Sequence, residues 1–518
     1  MRRHLKSETF ARAFLVASIL ILGPTWVTLP TYAQGSALPD AVEQQDRALI
    51  NRLLDERADV NATQVDGMSS LHWAVYHDDD SLSEKLVQFG ADTNAENRYG
   101  ITPLSIAAMN GNGSLVEMLI GAGAYPNKFL EGGETVLMIA SRAGSLRAVR
   151  ALLAAGADFS AQEQRGQTAL MWAAAEGHTS VVKALIEAGG NIDQKLGSGF
   201  TPLFFSVREG HIGVAVALIE AGADVNAILT RVRERTARAG NNATTQPVNR
   251  GLSPLLLAVR NGHFELAIEL VKVGADPNDM RSGFTPLHTM AWVRKPDASD
   301  RGDPSPIGSG NLTSLEFVRE LVALGADVNL PLAEGAPRLP NSASIIETGG
   351  STAFLLAADR ADVPLMQTLL ELGANPFWSN LSSTTPLMAA AGLGTRAPEE
   401  EAGTEEEALA ATSLMLELGA DVNAVNENNE TAMHGAAYGR FPSVVKLLAE
   451  HGADAHVWNR LNYRGWTPLF IAEGHRHIPR GPSLPTIEVI SQLMFEAGIS
   501  TEGTRPQLID QYEVPPNR

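Results

Sequence analysis

The chain has 518 residues, no cysteine and a formal charge of −19. The missing thiols exclude disulfides, thiolate metal sites and cysteine nucleophiles, and the negative charge sets the surface against nucleic acid and anionic lipid headgroups. Aromatic residues make up only 6%, while Ala, Leu and Gly are prominent, a composition suited to small packed helices rather than one thick core.

Residues 1–33 read as a secretion signal. Arg2, Arg3, Lys6 and Arg12 form a basic region, Ala13 to Leu22 an apolar stretch, and Thr31-Tyr32-Ala33 places small residues at the two positions a signal peptidase inspects. Cleavage is predicted after Ala33. It would remove four basic residues and one acidic residue (Glu8), leaving −22. An uncleaved anchor, with the apolar stretch extended through Trp26 to Leu29, is the alternative. Arg2-Arg3 followed by Leu5-Lys6 is an incomplete twin-arginine pattern. The predicted location is periplasmic or secreted, with no membrane contact after cleavage.

Residues 34–61 hold a linker and a degenerate first unit, in which a helix is predicted between Ala41 and Leu54 before the ending Ala58-Asp59-Val60-Asn61. From residue 62 to 500 the chain repeats itself. Thr102, Thr135, Thr168 and Thr201 are spaced by 33 residues, as are Gly90, Gly123, Gly156, Gly189 and Gly222. A fixed period of this length denotes a stack of supersecondary units. In one unit, Thr102 is placed to cap a helix and Pro103 sits at its first position, where a missing N–H is harmless. Leu104, Ile106, Ala107 and Ala108 follow. After a turn at Gly111 to Ser114, Leu115, Val116, Met118, Leu119 and Ile120 give a second amphipathic helix, and Gly123 falls where a left-handed cap is expected. Further units start at Ser69, Thr135, Thr168, Thr201, Ser253, Thr285, Thr352, Thr385, Thr431 and Thr467. Each pair is too small to hide its apolar face alone.

The start Thr285-Pro286-Leu287-His288 and endings such as Gly222-Ala223-Asp224-Val225-Asn226 resemble the ankyrin repeat, over roughly residues 38 to 500. The resemblance implies an all-α solenoid of about twelve helix–turn–helix units joined by β-hairpin finger loops. It also implies a protein-binding role, with His72, His288 and His434 holding fingers to helices. His178, His211 and His263, in recurring turns before second helices, are read as structural.

Landmark spacing locates insertions near 227–249, 293–311, 330–349, 392–408 and 473–485. The first contains Arg231, Arg233, Arg235 and Arg238, and the fourth the glutamate runs 399–401 and 405–407. Such additions map to the edges of a solenoid. Residues 501–518 form a tail.

No nucleophile elbow, phosphate loop, HExxH helix or dinucleotide fingerprint occurs, so no catalysis and no cofactor are expected. His475 and His477, in the last insertion, are read as a solvated loop and no metal site is expected; they could bind a metal if a carboxylate or a third His came close. Binding is assigned to positions that vary between units. After the paired alanines of the first helices these are Tyr76, Met109, Arg208, Arg260, Trp292 and Tyr438. At the finger tips they are Arg98, Tyr99, Arg165, Tyr463 and Trp466, with Phe284 and Arg464 beside them. Exposed Tyr, Trp and Arg dominate interface energies. Trp73 and Trp172, before the alanines, are assigned to packing. The predicted role is an exported scaffold for a protein partner. The alternatives are a secreted effector acting on host proteins and a noncatalytic or metal-binding subunit of a periplasmic enzyme.

Overall fold

A computed structural model describes residues 36–229, 251–297, 305–340, 342, 344–399, 401–475 and 481–502. The segment read as a signal, the arginines at 231–238, His477 and the tail from 503 lie outside these residues. The described residues are helical, with isolated bridges but no named strand. The chain divides into two compact units, Met1–Ile106 and Ala107–Arg518.

The first unit contains two helix pairs. Ala37–Glu43 and Arg47–Asp55 form the degenerate one, where a single helix between Ala41 and Leu54 was expected. The break arises because Gln45 takes a left-handed conformation (φ 56°) and the Asp46 carboxylate caps a new helix by accepting from Leu49 N–H at 3.0 Å. The second pair is Ser70–Tyr76 and Asp80–Gln88, packed on the first through buried Leu38, Ala41, Leu71 and Ala74.

The second unit continues in the same manner. First helices Val136–Ala143, Ala169–Glu176 and Pro202–Glu209 pack on one another through alanines with no exposed surface, among them Ala140, Ala173 and Ala174. Second helices Gly113–Gly121, Leu146–Ala154, Thr179–Glu187 and Ile212–Glu220 form the layer behind them, closing over Leu119, Val149, Leu152 and Val182. Most of the expected caps are present, while Thr201 makes no side-chain cap hydrogen bond. Thr135, Thr168, Ser253, Thr285, Thr352, Thr385 and Thr467 each accept a hydrogen bond from the third helical N–H. At each second-helix end the recurring glycine is left-handed, as at Gly123 (φ 92°), where Ala124 N–H donates back to Leu119 O. Isolated bridges at Thr63–Ser69, Phe129–Thr135 and Leu229–Leu252 are what the fingers retain of a hairpin.

Two sets of side chains tie neighbouring repeats together. Histidines in the first helices donate Nε2–H forward to a finger carbonyl: His72 to Ile101 O (3.0 Å), His288 to Ser351 O (3.1 Å) and His434 to Arg460 O (3.2 Å). Their Nδ1 atoms face the cap hydroxyls of Ser69, Thr285 and Thr431. Histidines in the turns reach backward: His178 to Arg142 O, His211 to Ala175 O and His263 to Arg208 O, at 2.9 to 3.1 Å. The asparagine that ends many repeats forms the second set. Asn278 Nδ2 donates to Gly325 O (2.9 Å) while its Oδ1 accepts from Asp327 N–H (2.8 Å). Asn61, Asn127, Asn226, Asn329 and Asn423 do the same with the next repeat's glycine and the residue two beyond it.

Burial drives the pKa of His288 and His434 down to about 4 from 6.5, so both rings stay neutral as donor–acceptor bridges. The unfolded chain binds these protons more readily. The stability they confer is therefore fully present above pH 6.5 and is lost as the pH falls towards 4. Changing His288→Ala removes one of the two hydrogen bonds on Ser351 O, which keeps that from Leu332 N–H, and opens a cavity in the core, and should cost roughly 2–4 kcal/mol. Urea-unfolding midpoints at pH 7.5 and 4.5 check this: the wild type falls more between the two pH values than the variant. Asn329→Ala, which removes one rung of the asparagine set at the surface, should cost only about 1 kcal/mol in the same measurement.

Candidate functional site

An asparagine five residues before the capping Thr shapes several fingers. Asn97 Oδ1 accepts from the N–H groups of Tyr99 (2.9 Å) and Ile101 (3.0 Å), and Asn462 Oδ1 accepts from Arg464 and Trp466 (both 3.0 Å). Asn380 and Asn426 act alike. This spacing is visible in the sequence. It holds the tip residues outward. In the first unit Tyr99 is 53% exposed, with the Arg98 guanidinium 4.7 Å over its ring. In the second unit Tyr463 is 55% exposed, and Arg464 lies over both Tyr463 (5.1 Å) and the half-buried Trp466 (5.5 Å), donating to the Tyr463 hydroxyl. Such cation–aromatic pairs present a flat, preorganised contact surface.

Among the other expected binding residues, Tyr76, Met109 and Arg165 are exposed and Arg260 is half-buried. Arg208 is exposed but stacks on Phe205 (5.1 Å) and pairs with Glu209 (2.7 Å). Three residues expected to bind, Trp292, Phe284 and Tyr438, are buried instead. Trp292 is buried, packed edge-on against the equally buried Phe284 at 4.9 Å, so this pair fills space inside its own repeat. Tyr438 is 1% exposed. Its hydroxyl donates to Glu430 Oε1 (3.2 Å) and accepts from Asn462 Nδ2 (3.0 Å), because Glu430 is itself buried and must be given donors. Burial pushes both the Glu430 and the Tyr438 pKa up. Trp73 is buried, as expected of a packing residue, and its indole donates to Gln64. Trp172 is half-buried beneath Arg142.

Three of the insertions meet in the second unit. Asp297, just after helix Pro286–Arg294, forms an ion pair with Arg360, which is 2% exposed at the end of helix Ala353–Asp359. Asp359 lies alongside with its Oδ2 3.9 Å from Arg360 Nε, while its Oδ1 accepts from the Ser344 hydroxyl (3.0 Å). The third insertion closes on this group. Ile345 N–H donates to Gly394 O (3.0 Å), Ala402 N–H to Asp297 (3.3 Å), and Glu401 Oε1 accepts from Arg396 and Ala397 N–H. Nearby, Arg294 grips Asp362 with two hydrogen bonds of 2.8 and 3.1 Å. Asp359 Oδ2 and Arg360 Nε and Nη2 are buried without hydrogen-bond partners. Burial raises the Asp359 pKa to about 6 and the Glu401 pKa to about 7. Neither the ion pairs nor the convergence follows from the repeat pattern. Glu405, Glu406 and Glu407, read as part of an insertion, form the first turn of helix Glu405–Glu417 behind its Thr404 cap, where carboxylates favour the helix dipole.

Among the described residues no group of three or more His, Asp or Glu side chains is placed to hold a metal. His475 packs against Phe470, and its companion His477 lies outside the described residues. No described helix is long and apolar enough to cross a membrane.

Known proteins share this construction. The family described as "Ankyrin repeats (3 copies)" matches residues 38–129, 133–228 and 404–479, more than half of the chain, and the single "Ankyrin repeat" matches 250–281. Human ankyrin repeat and SOCS box protein 16 is 30% identical over 241 residues, covering 43% of this chain and 48% of that protein. The chicken nuclear factor NF-kappa-B p105 subunit is 30% identical over 255 residues, covering 43% of this chain and 22% of the relative. The chain thus matches less than half the length of either relative. Repeats of this kind are protein-interaction scaffolds, and the period, caps, histidine and asparagine links and family match together establish that the chain belongs to the ankyrin-repeat family.

Proposed function

We propose that this protein is an exported scaffold that grips a protein partner through its finger tips and the variable faces of its first helices. The carrying observation is the pairing of exposed aromatic rings with arginines on asparagine-shaped fingers, at Arg98–Tyr99 and at Tyr463–Arg464–Trp466. Rings and guanidinium groups already held in place lose little conformational freedom when a partner covers them. In a chain of charge −19 these tips concentrate positive charge next to apolar surface, which suits an acidic or aromatic partner segment. Export rests on the basic, apolar and small-residue order of residues 1–33.

Affinity capture from extracts of the source cells should recover a defined protein. Its affinity should fall at least tenfold on changing Arg98→Ala with Tyr99→Ala, or Tyr463→Ala with Arg464→Ala and Trp466→Ala. Tyr438→Phe, which removes a buried donor, should instead lower the urea midpoint by the equivalent of about 1–2 kcal/mol and leave capture intact. Unchanged affinity in both tip variants would place binding elsewhere. For export, intact-mass measurement of the protein from cell fractions should find a chain beginning at Gln34 outside the cytoplasm. A chain retaining residues 1–33 in the membrane fraction would favour the anchor.

A further inference from the structure

The ion cluster that joins three insertions has no part in the binding proposed above. Its chemistry is unusual for a structural staple. Asp297 and Arg360 are buried, as is the Asp359 side chain, and Glu401 is largely covered. Among the described residues Arg360 is the cation that meets both Asp297 and Asp359. Other cations at the rim are engaged with other carboxylates: Arg294 with Asp362, Lys295 with Glu407 and Arg440 with Glu399. Glu401 feels both Asp359 and Asp297 as like charges. Two buried carboxylates on one guanidinium, with Glu401 within electrostatic reach of both, carry excess negative charge whenever all are ionised, and burial makes that excess costly. Hydrogen bonds across the group hold the insertions together, with Ser344 on Asp359, Ile345 on Gly394 and Ala402 on Asp297. A Cβ on Gly394 would collide with Asp359 Oδ1 and Ser344 Oγ, so these segments are in close contact.

We infer that this cluster is a proton-tightened clamp, in which proton uptake by Asp359 and Glu401 lowers the cost of burying them and so favours the closed packing of the segments around Ser344 and Gly394 on Asp359. A proton on Asp359 turns a bare buried acceptor into a hydroxyl, and one on Glu401 removes the like charge facing Asp359 and Asp297. The Asp297–Arg360 ion pair is left in place. Both carboxyls titrate higher in the folded chain than in the unfolded one, from 3.8 to about 6 and from 4.5 to about 7. Folding around them therefore takes up protons. The stabilisation is complete at low pH and is lost as the pH rises through 6 and 7. This is the reverse of the buried histidines, whose contribution falls only below 6.5. A comparison between pH 6.5 and pH 8 separates the two effects.

Hydrogen–deuterium exchange of the full chain, expressed as protection relative to the intrinsic rate at each pH, tests the clamp. Peptides covering 344–348 and 394–399 should be protected about fivefold more at pH 6.5 than at pH 8, while peptides from helices Leu146–Ala154 and Thr179–Glu187 should not change. Glu401→Gln and Asp359→Asn mimic the protonated forms. Combined, they should give high protection at both pH values and erase the step. Glu334→Gln, at an exposed carboxylate outside the cluster, should preserve it. Equal protection at both pH values in the wild type, greater protection at pH 8, or a full step surviving in the double variant would overturn the inference. A partner captured or lost in the preceding experiments has no bearing on this outcome.

Discussion

Backbone carbonyls in the fingers and turns between short helices need donors, and in this chain side chains of the neighbouring repeat supply several of them. His288 donates to Ser351 O and His263 to Arg208 O, while Asn278 both donates to Gly325 O and accepts from Asp327 N–H. The histidine bonds add a second donor to carbonyls that also accept from Leu332 N–H and Asn261 Nδ2, and the asparagine bonds close the surface turn between two repeats. Since most helices here are only 7 to 10 residues long, none is stable by propensity alone. Apolar burial between layers supplies the drive, and the histidine and asparagine links fix the register in which one repeat meets the next.

That division of labour leaves the fingers and insertions free to differ. Where a finger carries an asparagine five residues before its cap, the side chain folds the tip into a rigid turn, and the residues at the tip can be chosen for contact rather than for folding. Where insertions enter between the two helices of a repeat, the helices resume on the far side with their own caps, Thr313 and Thr404, each in a reciprocal capping box with Glu316 or Glu407. The stack therefore tolerates long additions at low cost. Here the additions have acquired a polar core of their own around Arg360, built from charge rather than from apolar packing.

The same residue type serves opposite ends within this arrangement. Histidine, which invites a metal or acid–base reading, is held neutral by burial at His288 and His434 and acts as a bridge. Carboxylates, which in a chain of charge −19 are expected to be solvated, are instead enclosed at Asp359, Glu401 and Glu430, each pKa displaced upward by burial. The environment, not the residue, decides which groups titrate near neutral pH.

Much of the architecture was written in one dimension. The 33-residue period, the Thr or Ser caps, the prolines at first helical positions and the glycines at second-helix ends act over a few neighbouring residues, so the helix pairs and their stacking were legible, and so was the structural part played by the TPLH histidines. Local chemistry also explains the break between Ala41 and Leu54, where one left-handed residue and one carboxylate cap end one helix and start another. What the sequence left open was exposure and convergence. Trp292 and Tyr438 occupy positions that are variable in register and yet lie buried, because a neighbouring ring or a buried glutamate claims them. Asp297, Asp359, Arg360 and Glu401 span more than a hundred residues, and only the packing of three irregular insertions brings them into one low-dielectric pocket of charge. Periodicity reports what each residue does for its own repeat; contacts between insertions follow no period, so only the folded chain decides them.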